Sequence, residues 1–393
     1  MIVRLVLLAI LASTSSAAHA GVQRWSPGDI RELIQAIEQA AADGLDPADY
    51  DMATLNASIA SGNAVQIDST ASSHFRQLAT DRWEGHVRGA RRIDWHIVGP
   101  TADAAALDEL EATALAGHKV GATLDALLPT SPEYARLKTA LAKTPTTDRA
   151  VRVQLRANME RWRWLPRDPG PRYILVNVAG FTAELIDNGR IVSMHRIVIG
   201  KPAKSTPQFS TAVTGVIINP WWEIPTSIVA EGIGSLLRKN PASAKAKGYV
   251  RVQTSGGGTR VRQAPGPLNA LGQMKLVMPN PYTVYLHDTP SKLLFEKSAR
   301  AFSHGCMRVD KPFDLVTALL SGTPGWDRAR IDAALAGGKT VKADLSAQVP
   351  IYVTYFTVRA GVDGSLTSYP DVYGRDAVVV AALTDREKSV RPK

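Results

Sequence analysis

The sequence predicts an α+β protein in which a helical N-terminal scaffold domain precedes a mainly antiparallel β-sandwich or β-barrel domain with C-terminal helices. Apolar residues recur at helical spacing up to about residue 141. From Arg172 onward the sequence pattern changes to short runs rich in β-branched and aromatic residues. No helical pattern alternates with these runs, which argues against a parallel doubly wound sheet.

The first part of the chain contains several helical patterns. An amphipathic helix is predicted over residues 27–43, and the alanine-rich stretches 103–117 and 121–128 fit further helices. A linker rich in threonine and proline begins at Thr144. We therefore predict a helical scaffold domain over residues 21–148.

The strand-rich part begins with three runs, 172–178, 181–187 and 190–200. Asn188-Gly189 between the second and third runs predicts a type I′ hairpin turn. Further strands are predicted at 212–218, 249–253, 260–263, 274–278, 282–286 and 350–358. Helices are predicted from about 310 to 320 and from about 327 to 336, each ending at glycine.

A polar insertion interrupts these strands. Residues 223–263 are predicted to form a partly helical lid over a site, with its tip at Gly256 to Gly258. The surrounding domain is predicted to span residues 149–380, and the basic residues 381–393 to form a tail. The glycine run lacks the ending of a phosphate-binding loop.

Composition and charge narrow the classes of function. The chain has 393 residues, 45% hydrophobic and 21% charged, which is typical of a globular protein. Its net charge of +10 suits an anionic partner. Nucleic acid is disfavoured because the chain has no long basic block and no zinc-finger spacing.

The N-terminus is typical of a secreted protein. Residues 1–20 combine Arg4, a short apolar run and the ending Ala18-His19-Ala20, which predicts a cleavable signal peptide. The apolar run is too short to span a bilayer, and no other segment reaches that length. We therefore expect a secreted protein without a membrane span.

The candidate catalytic segment is Ser303-His304-Gly305-Cys306, which contains the only cysteine of the sequence. A histidine, His287, ends the apolar run 282–286 upstream. A single cysteine with a separated histidine is the pattern of a thiol nucleophile and its base. Gly305 permits a sharp turn, so the amides of Gly305 and Cys306 are predicted to stabilise an oxyanion.

These residues resemble the signature of the L,D-transpeptidase (YkuD-type) catalytic domain, which acts on peptidoglycan. The resemblance extends over about 152–376 and includes Gly266-Pro-Leu-Asn-Ala-Leu-Gly272. It is strongest to the large periplasmic Gram-negative branch, although the linker is too short for that branch's usual peptidoglycan-binding repeat. The resemblance implies a cysteine acyltransferase that cross-links stem peptides and is a target of carbapenems.

Within this resemblance His287 is the general base and acid, and a main-chain carbonyl, expected to be that of Asp288, orients its ring. The Asp288 carboxylate is a second candidate for that orienting role. His304 is the alternative base and otherwise a supporting residue beside Ser303. Four residues are candidates for binding substrate: Arg308, Trp221, Trp222 and Asn269. Of these, Asn269 is expected mainly to fix its turn and only secondarily to touch substrate.

Two alternatives to transfer remain open. The same thioester can be hydrolysed, giving carboxypeptidase or endopeptidase activity, or the protein can be a non-catalytic wall-binding scaffold. A zinc site at His287, His304 and Cys306 is disfavoured because no zinc-ligand motif accompanies them. We expect no cofactor and peptidoglycan stem peptides as partners; the sequence does not indicate an oligomeric state.

Overall fold

The computed structural model describes residues 24–384. The predicted signal peptide at 1–20 lies outside the described residues. Within the described range, no helix is both long enough and apolar enough to cross a membrane. The helices of the N-terminal part are α1 Pro27–Glu38, α2 Met52–Ala60, α3 Ala64–Trp83, α4 Ala104–Gly117, α5 Val120–Asp125, α6 Pro132–Lys143 and α7 Arg149–Arg163, with short 3-10 turns at Gln39–Asp43, Pro47–Tyr50 and Gly89–Arg91.

Local sequence explains where these helices begin. Ser26 caps α1 in a reciprocal capping box with Asp29, and Asn63, Asp103 and Asp148 cap three of the later helices. The inward sides of helices α1 to α5 form one apolar core. This helical part confirms the predicted fold class for the N-terminal region.

Helix α7 joins the helical part to the strands. Asn158, fully buried on α7, accepts a hydrogen bond from the Thr357 amide at 2.8 Å and donates to the Thr357 hydroxyl at 2.9 Å. On the next turn Arg161 pairs with Asp376 at 2.6 Å. These buried polar contacts fix α7 against the C-terminal segment, since breaking them would leave polar groups unpaired inside the protein.

The strands of the large sheet confirm the predicted β-domain. They are β1 Trp95–His96, β2 Arg172–Asn177, β3 Thr182–Asp187, β4 Arg190–Gly200, β5 Gln208–Ile218, β9 Met274–Val277, β10 Leu286–His287, β11 Ala301–Ser303, β12 Met307–Val309 and β13 Val341–Thr354, while β6 Trp222–Ile224, β7 Tyr249–Gln253 and β8 Thr259–Gln263 form a separate sheet, and β14 Val358–Ala360 pairs with β15 Leu366–Ser368.

The large sheet closes into a barrel. Its order runs β5-β13-β2-β3-β4-β12-β10-β9, and β9 pairs back onto β5. Most pairs are antiparallel, as predicted, but β13–β2, β10–β12, β11–β4 and β1–β5 are parallel. The main apolar core is built from the strands together with helix α11 (Pro312–Leu320) and a residue of α12 (Arg328–Ala336).

The insertion folds as a unit beside the barrel. Its strands are ordered β6-β8-β7, and the chain between β6 and β7 forms α8 Thr226–Ile228, a π-helical turn Val229–Ile233, α9 Gly234–Lys239 and α10 Pro241–Ala246. No residue of Thr226–Lys239 is buried. This part of the helical segment therefore has no buried core of its own.

Three predicted boundaries are wrong. The strand predicted at 282–286 is reduced to Leu286–His287, because the Asn280 side chain accepts from the amides of Tyr282 and Val284 and holds a turn. The last long strand begins at Val341 and not at 350. The boundary at 381 falls inside helix α13, Asp376–Thr384, whose Ala382 and Leu383 are buried.

Candidate active site

Three adjacent strands place charged and ionisable side chains in one row. His287 on β10 lies in register with Arg308 on β12 and with Lys275 on β9. Their strand neighbours Leu286 and Met307 are fully buried in the main core. Because side chains alternate along a strand, the row lies on the opposite face, which we call the site face.

Cys306 reaches the same face from the turn before β12. It immediately precedes Met307, whose amide donates to the Tyr285 carbonyl at 3.0 Å. The thiol is half-buried, and its Sγ lies 3.8 Å from the Thr283 carbonyl, to which it donates. Cys306, directly before β12, and His287, on the neighbouring strand β10, therefore lie next to the same two cations, Lys275 and Arg308.

His287 is held in one tautomer. Its ring is buried, and Nδ1 donates to the main-chain carbonyl of Asp288. A carbonyl can only accept, so Nδ1 carries the proton and Nε2 keeps its lone pair. The Asp288 carboxylate does not orient the ring; it accepts from the Gln273 amide at 2.9 Å and pairs with Lys292.

Both groups are neutral at rest. Burial, reinforced by the nearby Arg308 and Lys275 cations, lowers the pKa of His287 to about 3. Burial also raises the pKa of the Cys306 thiol, while donors on Tyr285 and the two cations oppose that rise. Burial therefore favours a neutral thiol beside a neutral imidazole over a preformed thiolate–imidazolium pair, and the two cations further disfavour the imidazolium. No hydrogen bond joins the two side chains among the described residues.

Side-chain hydrogen bonds hold the turn that precedes Cys306. Gly305 has a φ of 115°, a conformation that L side chains rarely adopt. The Ser303 hydroxyl donates to the Cys306 carbonyl at 2.5 Å and accepts from the Gly305 amide at 3.1 Å. Buried Thr206 donates to the Gly305 carbonyl at 2.8 Å and accepts from the Gly200 amide at 3.0 Å. Ser303 and Thr206 together tie the turn to the end of β4.

This bonding corrects the predicted oxyanion site. The Gly305 amide is already occupied by Ser303, so it is not a free donor to a reacting carbonyl. For the Cys306 amide, in contrast, no acceptor is present within residues 24–384. The available donors beside the sulfur are therefore the Cys306 amide and the hydroxyl of Tyr285.

Tyr285 and Lys275 are functional candidates that sequence reasoning missed. The Tyr285 hydroxyl lies beside the Cys306 sulfur and close to the Trp222 side chain. Lys275 Nζ lies 3.8 Å from the centre of the Tyr285 ring. Burial raises the pKa of Tyr285 well above its ordinary value, so the phenol keeps its proton and acts as a donor. Tyr285 lies two residues before His287, and in an extended segment this spacing is the sequence signal that places both side chains on one face.

A Tyr285→Phe variant should raise the pKa of the Cys306 thiol. Removing the hydroxyl deletes a donor that favours the thiolate, so alkylation by iodoacetamide at neutral pH should slow by about threefold to tenfold. The rate of alkylation as a function of pH gives the shift directly. Tyr282→Phe is the matched control, because the Tyr282 ring packs on Phe209 and His96; equal slowing in both variants would refute the assignment.

The substrate-binding candidates separate into two groups. Arg308 and Trp222 lie at the site, and the Nε of Arg308 is buried without a hydrogen-bond partner among the described residues. Trp221 lies at the base of the insertion, where Arg262 stacks over its ring at 4.5 Å. Asn269 holds its own loop, the main role expected for it. It is 1% exposed, and its amide donates to the carbonyls of Pro220, Gln263 and Ala264.

The His304 ring contacts the insertion. Its Nε2 lies 2.7 Å from a carboxylate oxygen of Glu231, on the π-helical turn of the insertion. The insertion thus contacts the site turn through its helical segment, whereas the predicted glycine tip forms the hairpin between β7 and β8. Within the part of the chain that the structure describes, no group of three His, Cys, Asp or Glu side chains is arranged to hold a metal ion.

Comparisons with known proteins agree with this geometry. Residues 171–326 match the L,D-transpeptidase catalytic domain (YkuD), and residues 23–141 match a scaffold domain. A Haemophilus influenzae protein named "Putative L,D-transpeptidase" is 29% identical over 242 residues, which cover 58% of this chain and 48% of that protein. The chain thus spans about half the length of this curated relative.

Two solved structures with detectable similarity to this chain are of L,D-transpeptidases. An L,D-transpeptidase in complex with imipenem is 14% identical over 47% of this chain and 59% of its own, with a TM-score of 0.25. An L,D-transpeptidase from Mycobacterium smegmatis is 13% identical over 47% and 58%, with a TM-score of 0.24. By these matches, residues 171–326 of this chain form a YkuD-type domain, and residues 23–141 before it form a scaffold domain.

Proposed function

We propose that the protein is a peptidoglycan L,D-transpeptidase that forms cross-links between stem peptides through a thioester on Cys306. The observation that carries this proposal is the common face shared by the half-exposed Cys306 thiol and the Nδ1-protonated His287, flanked by Lys275 and Arg308. A thiol, an imidazole base and unpaired cations suit acyl transfer from a substrate that carries carboxylates.

The first half-reaction forms the thioester. Rotation of the Cys306 side chain away from the Thr283 carbonyl turns its proton toward Nε2 of His287. The sulfur attacks the carbonyl carbon of the donor peptide bond as Nε2 takes the proton, so no isolated thiolate is formed at rest. The Cys306 amide and the Tyr285 hydroxyl donate to the oxyanion, and the carbon–nitrogen bond breaks as His287 returns the proton to the leaving amine.

The second half-reaction releases the enzyme. An amine of a second stem peptide attacks the thioester carbonyl, and His287 accepts its proton. The carbon–sulfur bond breaks, and the proton passes to the Cys306 sulfur. One amide bond has then been exchanged for another with no net redox change, and ping-pong kinetics are expected because the donor's leaving group departs before the acceptor reacts.

Arg308 is proposed to bind a carboxylate of the acyl donor. Its guanidinium lies next to the nucleophile and has a buried Nε without a partner in the described chain. An Arg308→Met variant should raise the KM for donor by about tenfold to a hundredfold, the equivalent of one lost charge-assisted hydrogen bond. Steady-state kinetics with a fixed excess of acceptor measure this change.

Two further variants test the Arg308 assignment. Arg308→Lys keeps the positive charge but lacks the planar guanidinium that can bind a carboxylate with two hydrogen bonds. Its affinity for the donor should therefore lie between those of the parent and Arg308→Met. Arg190→Met removes an exposed arginine at the far end of β4 and should leave KM unchanged. A rise in KM of equal size for Arg190→Met, or none for Arg308→Met, would show that Arg308 does not bind the donor.

Product analysis distinguishes transfer from hydrolysis. Purified protein incubated with disaccharide stem-peptide fragments should yield cross-linked dimers, and mass spectrometry of the dimers identifies which residue of the stem served as acyl donor. Trimmed monomers without dimers would support a carboxypeptidase or endopeptidase instead. Carbapenem acylation of Cys306, which the family resemblance implies, would appear as a single added mass on the intact protein.

The proposed location is the periplasm. The signal peptide predicted at residues 1–20 would direct export, and the polymer substrate lies outside the cytoplasmic membrane. Cell fractionation with an antibody against the protein should find it in the periplasmic extract. Recovery in the cytoplasm with its N-terminal segment uncleaved would contradict the proposal.

A further inference from the structure

The insertion carries a disproportionate share of the positive charge. Residues 223–263 contain seven Lys and Arg residues and two acidic residues, a net charge of +5 in a chain of net charge +10. This segment is about a tenth of the sequence. Half of the net positive charge is therefore concentrated in this unit.

Both acidic residues of the insertion already have partners. Glu223 pairs with Arg262 at 2.6 Å and lies 3.8 Å from Arg260. Glu231 contacts His304 at 2.7 Å. The remaining five basic side chains are exposed, and none forms an ion pair within the described residues. They are Arg238, Lys239, Lys245, Lys247 and Arg251.

These five residues lie on consecutive elements that pack on one another. Arg238 and Lys239 end α9, Lys245 lies in the last turn of α10, and Arg251 lies on β7, an edge strand of the small sheet. A cluster of like charges on a folded unit creates a local potential that attracts anions. Its range in physiological salt is about 8 Å, so it acts on a partner that touches the insertion.

The same unit contacts the active site at two points. Trp222, directly before the insertion, lies close to the Tyr285 hydroxyl, and Glu231 in its helical segment contacts His304, two residues from Cys306. Lys201 and Lys204 lie near Glu231 and extend the positive charge toward the site. A polymer bound by the insertion would therefore be held beside the nucleophile.

We propose that Arg238, Lys239, Lys245, Lys247 and Arg251 form a docking surface for the carboxylate-rich peptides of the cell-wall polymer. This proposal rests on the proposed function and adds that the insertion binds the polymer outside the reacting centre. Stem peptides carry carboxylates, which complement exposed ammonium and guanidinium groups.

An anionic membrane surface is the less suitable partner. Membrane-binding helices combine basic residues with an apolar face directed outward. The apolar stretch here, Thr226–Lys239, contains Glu231, whose contact with His304 holds that stretch over the site turn. Three of the five basic residues lie beyond it, on α10, the following turn and β7.

The test measures binding separately from turnover. In a Cys306→Ala background, the full-length protein is sedimented with purified insoluble peptidoglycan at increasing salt. Changing the five basic residues to glutamine should weaken binding about tenfold or more at low salt, and binding of the parent should fall between about 50 mM and about 500 mM salt. Because catalysis is absent, the outcome does not depend on whether transfer or hydrolysis is the reaction.

A charge-matched control distinguishes this surface from net charge. Lys119, Lys143, Arg149, Lys297 and Lys339 are exposed basic residues outside the insertion. Changing these five to glutamine also lowers the formal charge from +10 to +5 and should alter binding less than twofold. Equal losses in both variants, or no loss in the insertion variant, would overturn the proposal.

Two additional measurements complete the test. Thermal melting establishes that each variant is folded, and a smaller variant limited to Lys245, Lys247 and Arg251 replaces the larger one if it unfolds. Vesicles containing phosphatidylglycerol are sedimented in parallel. Tight binding to these vesicles without binding to peptidoglycan would overturn the assignment of the partner.

Discussion

A Cys306→Ala variant is expected to form no cross-linked product, with activity at least about 10⁴-fold below that of the parent protein. Cys306 is the only thiol in the chain, so no second cysteine can form the thioester. Removing an essential nucleophile leaves only the contributions of binding and oxyanion stabilisation. Mass spectrometry of the products from equal amounts of the two proteins measures the loss.

The Cys306→Ala result also tests the reading of the protein as a non-catalytic scaffold. The thiol is half-exposed, so its loss should change the unfolding free energy by less than about 1 kcal/mol, and the variant should melt close to the parent. A folded variant without product supports covalent catalysis. Cross-linking in cells that depends on the protein but survives this substitution would instead identify a scaffold.

The approach of Cys306 to His287 could be predicted because both residues belong to a short, recognisable sequence pattern. The sequence indicated that Cys306 and His287 come together, and the parallel pairing of β10 with β12 is the physical reason they do. Lys275 could not be predicted, because its place beside His287 depends on the register of β9. Register follows from the whole sheet and not from a local motif.

The errors have a common cause in local side-chain hydrogen bonds. The Gly305 amide was assigned to the oxyanion, but the Ser303 hydroxyl two residues earlier accepts its hydrogen. Asn269 was a secondary candidate for touching substrate, but its amide and carbonyl are used within its own loop. Serine and asparagine compete in this way for nearby backbone groups, so a motif that contains them does not reveal which donors are left free.

Helix α13 was missed for a different reason. Its segment contains three successive valines, and β-branched residues have low helix propensity. The helix forms because Val379, Ala382 and Leu383 pack on Trp164 and Val87, while Asp376 pairs with Arg161. Tertiary packing therefore overrides local preference here, as it does in most short helices.

A His287→Gln variant is expected to lower kcat by about 10² to 10⁴-fold, because glutamine cannot accept the thiol proton. In the parent protein, burial lowers the pKa of His287 to about 3. The imidazole is in its base form above its pKa, so a lowered pKa extends that form toward acid. The pH profile of kcat/KM, which reports the free protein, should therefore show no fall near pH 6.5, the ordinary range of histidine, and should lose activity through His287 protonation only as the pH approaches about 3.

Two matched variants decide between the histidines. His304→Gln removes only an exposed contact with Glu231 and should cost at most about fivefold in rate. His195→Gln removes another buried histidine of the barrel, whose Nδ1 donates to the Asp310 carbonyl at 2.9 Å, and reports the cost of disturbing the fold alone. If His304→Gln lost the larger activity while His287→Gln retained it, the base would be His304, and the row of Lys275, His287 and Arg308 would serve only to bind substrate.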